Sequence, residues 1–253
     1  MTFNSCSLFW EPKNQLSLTK STSHNALLKF ILEDLTIMSN ENKAVLANMK
    51  DGKTPEQKKV IDYFMGGGGC FSKTMKDSDY DQMVEEKLRS INFKQRAIEV
   101  LAIDPEQINE IDPVHFEGFD FEDGPDHPVL VKKGNDDLWR SSAYEITWIF
   151  FSDTQIYVYQ YKFYMESDAK EESTREYFYK DITNFNSEYN TKERAIPKTN
   201  CMGAVSIERK TVDFTAFSLT VPNARLSCSM VQNDYTDRAI QGMKAKLREK
   251  KNY

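Results

Sequence analysis

Cysteine is sparse and scattered in this chain. Cys6, Cys70, Cys201 and Cys228 form no CxxC pair, which argues against a zinc ribbon or a thioredoxin-like redox motif. Four such residues spread over 253 fit a reduced cytosol better than a disulfide framework. Histidine is scarcer still, with three. No G-x-S-x-G elbow occurs, so the routes to a hydrolytic triad are few. Long apolar runs are missing too. The best N-terminal stretch, residues 26–32, is interrupted by Lys29 and followed by Glu33 and Asp34. That is far short of the roughly 18–20 residues a membrane span needs. It has no small-residue cleavage site and does not read as a signal peptide. Positive charge is in deficit. Lys and Arg number 33 against 39 Asp and Glu, a net charge of −6, and a general nucleic-acid binder needs a basic surface. The basic tail at 244–251 reads as the solvated last turns of a helix. Membrane attachment through it is disfavoured, because that helix carries no Trp or Phe on its apolar side.

What remains is a soluble, globular composition, 40% hydrophobic and 28% charged. The 12 Tyr and 16 Phe concentrate after residue 140, which points to a β-rich second half. Residues 1–37 differ: they are rich in Ser, Thr and Asn and lack periodicity. The run Met38-Ser39-Asn40-Glu41-Asn42 resembles an ordinary bacterial start. Residues 1–37 are therefore expected to be a disordered leader or a mis-assigned start.

Residues 38–112 carry helical signals. Residues 41–49 place Val45, Leu46 and Met49 on one side. Thr54-Pro55-Glu56-Gln57 combines a cap, a first-turn proline and a capping box. Val60, Ile61, Phe64 and Met65 supply the apolar stripe before four glycines at 66–69. Ser78 is the expected cap of the next helix, with Val84, Leu88 and Ile91 at helical spacing. A further helix takes Phe93, Ala97, Val100 and Leu101, and Asp104-Pro105 opens a short one.

The stretch 113–127 is rich in proline, glycine and acid and reads as a linker loop between two domains. In the region 128–253 the period falls to two. Residues 129–131 are a short apolar strand. Residues 144–151 alternate Tyr144, Ile146, Trp148 and Phe150 against Glu145, Thr147, Ile149 and Phe151, and 152–154 is a hairpin turn. Residues 155–165 carry Tyr157, Tyr159, Tyr161 and Phe163 on one face. A charged loop at 168–173 precedes a strand at 175–185. Strands at 204–209 and 211–221 join around Lys210, and 224–230 is a last strand. A helix capped by Asp234 follows, burying Ile240, Met243 and Leu247.

About seven antiparallel strands followed by one amphipathic helix, with Tyr179-Lys180-Asp181-Ile182 as a Y-x-D-I strand, resemble bacterial pleckstrin-homology-like (PH-like) domains. The resemblance covers about residues 128–251. It implies an α+β chain: a helical N-terminal region, then a PH-like β-barrel or sandwich with a terminal helix. It also implies a binding or scaffold module. It does not imply phosphoinositide binding, since Lys132-Lys133 is followed by Asn135-Asp136-Asp137, a poor anion site.

Three motifs invite chemistry. Residues 67–74 are one residue from a phosphate-binding G-x-x-x-x-G-K-[ST] loop. Ser72 stands in place of the last glycine, and a capped helix rather than a strand precedes it. The run reads as a flexible hinge. His115 and His127, with Asp123 and Asp126, form a candidate metal set without the tight spacing of a known metal helix or calcium loop. Tyr157, Tyr159 and Tyr161 are either a partner-binding face or core. No catalytic residue and no cofactor site is assigned. The expectation is a non-enzymatic cytoplasmic protein of bacterial type that binds a protein partner or assembles with itself. Nucleic acid is not an expected partner. The alternative is a metal-binding protein or metal-dependent enzyme using the His115–His127 loop.

Overall fold

The computed structural model describes residues 48–66, 75–108, 111–124, 127–199 and 205–251. Asp126, Cys6, Cys70, Cys201 and most of the glycine run lie outside them, as do the candidate leader and all but the end of the 41–49 helix.

Helix α1 (Pro55–Met65) begins where its sequence signals it. The Thr54 hydroxyl accepts from the Gln57 N–H at 3.2 Å, and Gln57 Oε1 accepts from the Thr54 N–H at 2.9 Å. Two N–H groups with no partner inside the helix are thereby satisfied reciprocally. It ends at Gly66, whose φ of 68° is left-handed backbone that glycine adopts without steric cost. Helix α2 (Asp77–Arg89) starts one residue before the expected Ser78 cap, with Asp77 and Asp79 in its first turn. Helix α3 (Phe93–Leu101) is capped by Asn92.

The described residues contain nine strands in three antiparallel sheets, with no closed barrel: an α+β protein. The first sheet has the order β1 (Val114–Asp120), β4 (Ala143–Phe151), β5 (Gln155–Tyr164), β6 (Lys170–Phe178). A small hairpin pairs β2 (Val131–Lys133) with β3 (Trp139–Ser141). The third sheet runs β7 (Asn184–Thr199), β8 (Val205–Val221), β9 (Ala224–Ser229). Helix α4 (Asp234–Lys251) follows, its first turn held by Asn233 Oδ1, which accepts from the Tyr235 and Thr236 N–H groups.

Several expectations are corrected here. The linker loop at 113–127 contains β1, which pairs along its whole length with β4. The charged loop at 168–173 is mostly strand, because β6 starts at Lys170. The Tyr179–Ile182 element is a turn between β6 and β7, not a strand. Residues 205–221 are one continuous strand rather than two. Its partner β7 had no strand signal over most of its length.

The helical region and the sheet share one core. The even-numbered side chains of β4 (Tyr144, Ile146, Phe150) and the odd-numbered ones of β5 (Tyr159, Tyr161, Phe163) pack under α1, α2 and α3. Tyr63 stacks on Tyr80 at 4.7 Å, and the Tyr80 hydroxyl donates to the Ser141 carbonyl at 2.6 Å. Phe93 meets Tyr161 at 5.2 Å. The tyrosine face offered as an interaction surface is therefore covered by the protein's own helices. Tyr159 is fully buried, Tyr161 nearly so, and Tyr157 packs at the margin. The opposite face of the first sheet meets β8, β9 and α4 through Ile149, Phe151, Ile156, Val158, Phe217 and Leu219.

Tyr159→Ala is expected to cost about 3–5 kcal/mol, the range for emptying a buried aromatic site. Because the helices rest on that ring, helical and strand signals should melt together in one transition of lower midpoint. A helical signal lost separately from the strand signal would contradict a shared core.

Candidate functional site

The face of the first sheet turned toward β8 and β9 is apolar along only half its length. Where β4 continues from Ile149 to Thr147 and Glu145, and β5 from Val158 to Gln160 and Lys162, it becomes polar. The register sets Thr147 opposite Gln160 and Glu145 opposite Lys162. A cavity of about 680 Å³ opens over this half. Its other walls are β6 (Ser173, Arg175), β7 (Asn190, Lys192), and the β8–β9 residues Ala216, Ser227 and Ser229.

The polar residues have a structural task. Strand β9 ends the third sheet, so half its backbone groups lack a strand partner. Two of them turn toward the first sheet. The Ser229 N–H donates to Glu145 Oε2 at 3.2 Å, and the Ser227 carbonyl accepts from Gln160 Nε2 at 3.3 Å. Gln160 Nε2 also reaches Glu145 Oε1 at 3.0 Å. Just beyond β9, the Val231 N–H donates to the Glu117 carbonyl of β1 at 2.9 Å. The backbones come close there: a Cβ on Gly118 would lie 3.1 Å from the Met230 nitrogen.

Lys162 and Asp120 form a buried ion pair at 2.6 Å, their side chains 9% and 8% exposed. Lys162 also donates to the Glu122 carbonyl at 2.8 Å. Burial first, and the Asp120 charge second, push the Glu145 carboxyl up to about 8. At neutral pH it is mostly protonated. Burial likewise pushes the Cys228 thiol well above its ordinary value, with Glu145 adding to it. A buried thiol of that kind is chemically inert.

At the rim, Arg194 clasps Asp123 with Nη1 at 2.9 Å and Nη2 at 2.5 Å. Burial alone would raise the Asp123 carboxyl, but Arg194 and the Val129 N–H hold it below the usual carboxylate range. Lys192 pairs with Glu122, and Arg225 with Glu188. The Arg175 guanidinium donates to Gln160 Oε1 and has no carboxylate partner among the described residues.

The residues offered as metal ligands have other partners. His115 lies on β1, stacked on Trp148 at 4.7 Å, and its Nδ1 is 3.2 Å from the Tyr235 hydroxyl. Burial lowers its basicity. His127 packs on Tyr164, Asp123 is engaged by Arg194, and Asp126 lies outside the described residues. Among the described residues no group of three or more His, Cys, Asp or Glu is placed to hold a metal ion. Nor is any helix there long and apolar enough to cross a membrane.

The cleft residues Glu145, Gln160, Lys162 and Arg175 were not candidates from sequence. For Glu145, Gln160 and Lys162 a signal was present, as polar residues at alternate positions of strands whose other members on that face are Ile149, Phe151, Ile156 and Val158; Arg175, on the exposed strand β6, had none. Compared with known proteins, the chain matches no protein-family model, no curated protein and no solved structure.

Lys162→Met would leave the Asp120 carboxylate buried without its cation and is expected to cost about 3–5 kcal/mol. Lys192→Met breaks an exposed pair and should cost less than about 1 kcal/mol. Urea unfolding of both variants checks this, and equal losses would contradict a buried, structural ion pair.

Proposed function

We propose that this is a non-enzymatic binding module of bacterial, cytosolic type, and that its bound molecule enters the polar cleft between the first and third sheets. The observation that carries this reading is a cavity of about 680 Å³ over a polar floor. It lies in the size range of small-molecule sites, roughly 300–1,000 Å³. The same sheet face is filled with apolar side chains a few residues away, so an apolar filling was open to the fold.

The partner reading based on Tyr157, Tyr159 and Tyr161 loses its support, because the helices bury Tyr159 and Tyr161 and leave Tyr157 at their margin. The cleft takes their place as the binding surface. The non-enzymatic reading draws on the inert Cys228 thiol and on two described histidines, His115 and His127, that do not line the cleft. The PH-like reading of the β half rests on facing antiparallel sheets and on α4, which lays Ile240, Met243 and Leu247 on the inter-sheet core. The Tyr179–Ile182 turn lends it nothing.

A set of small polar compounds screened by NMR against labelled protein should shift the resonances of Ser173, Arg175, Ser227 and Ser229. Ser173→Trp, which fills the cleft from the edge strand β6, should abolish those shifts. Shifts of undiminished size in that variant, or shifts that map elsewhere, would sink the proposal.

A further inference from the structure

Subtracting internal pairs from the cleft shows what its walls leave over. Asp120 is taken by Lys162, Glu122 by Lys192, and Asp123 by Arg194. Glu172 is bound by Arg96 through two contacts of 2.7 and 2.6 Å, and Arg225 by Glu188. Both Glu145 oxygens are engaged, by Gln160 Nε2 at 3.0 Å and the Ser229 N–H at 3.2 Å, and burial raises its carboxyl to about 8. Two charges remain, of opposite sign, both on β6.

Arg175 is one of them. Its guanidinium is positioned by Gln160, which β9 and Glu145 fix in turn. Five N–H donors in a planar fork leave it free hydrogen-bonding capacity. That fork matches a carboxylate in two-point contact. Glu171 is the other. Its Oε1 accepts from the Tyr164 hydroxyl, and no cation lies within ion-pairing distance of it among the described residues. A carboxylate keeps further lone pairs for a second donor.

Both residues project to the cleft side of the strand, since they are four positions apart and side chains alternate. Their Cα atoms are separated by about 13 Å at ~3.3 Å per residue. The Arg175 side chain leans back along β6 toward Glu171, because Gln160 lies opposite Ser173. Strand β6 is the outer strand of its sheet, so both charges stand at the open side of the cleft.

Building on the cleft as the binding site, we propose that its ligand is a small molecule with two opposite charges, a carboxylate seated on Arg175 and an amine on Glu171. The two groups are several bonds apart, as in an ω-amino acid or the termini of a short peptide.

Four probes of similar length separate the possibilities: 6-aminohexanoate, hexanoate, hexylamine and uncharged hexanamide. Each is titrated into labelled full-length protein and followed by NMR at Ser173, Ser227 and Ser229. The expected result is that 6-aminohexanoate binds about threefold or more tighter than either singly charged probe, the gain of one further partly exposed ion pair. Arg175→Ala should reduce it to the affinity of hexylamine, and Glu171→Gln to that of hexanoate. Both positions are exposed on an edge strand, and Gln keeps an acceptor for Tyr164. If hexanamide binds as well as 6-aminohexanoate, the two-charge inference falls while the cleft stands. If hexylamine or hexanoate alone equals it, the inference falls as well. If none of the four shifts the cleft resonances, and the wider polar set does not either, both readings fall.

Discussion

The open edge of β9 has to find partners, and the first sheet supplies them from side chains. An edge strand that is neither paired nor solvated leaves N–H and C=O groups costing roughly 1–3 kcal/mol each. Glu145 and Gln160 answer two of those groups, and they occupy positions where the alternation of β4 and β5 would otherwise place apolar residues. Once they are there, the surrounding half of the sheet face must stay polar. A buried carboxyl needs donors, and a buried lysine needs an anion. The buried Lys162–Asp120 pair follows from that requirement, and Arg175 donates to Gln160 beside it. The apolar core between the sheets stops where the polar patch begins, and the cleft is the space beyond it.

The other face of the same strands is under the opposite constraint. Tyr144, Ile146, Phe150, Tyr159, Tyr161 and Phe163 form a wide, largely aromatic surface that water cannot cover without cost. The helices before β1 lie over it, and their capped starts set where they begin. Tyrosine suits this layer because its hydroxyls reach acceptors at the margin: Tyr80 to Ser141, and Tyr159 to Glu172 at 2.7 Å. Arg96 on α3 clasps the same Glu172, joining helix to sheet edge. The two halves of the chain, so different in sequence period, thereby share a core.

Local signals were legible where they were self-sufficient. The Thr54–Gln57 capping box, the alternation in β4 and β5, and the apolar stripe of α4 each follow from short-range chemistry. Strand β7 did not, because Asn, Ser, Lys and Glu dominate it. It is a strand because β8 pairs with it over Asn184–Thr199, and pairing of that range leaves little local trace. Strand β1 was masked by Pro113, Gly118 and its acids. Gly118 looked like a loop signal, yet it is required by the close passage of the Met230 backbone. The cleft was half legible. Glu145, Gln160 and Lys162 stood out as polar breaks in inward-facing series, but only the position of β9 explains why those breaks are there.

The state of Glu145 tests this account most directly. Its folded-state pKa, about 8, stands above the ordinary 4.5. Between those values the native protein binds more protons than the unfolded chain, so stability should fall as pH rises from about 4.5 to about 8 and level off above. The measurement is the carboxyl ¹³C shift of Glu145 in folded protein across that range. A midpoint near 8 is the predicted result. A midpoint near 4.5 would mean a solvated carboxylate and would contradict the burial of Glu145 between the two sheets.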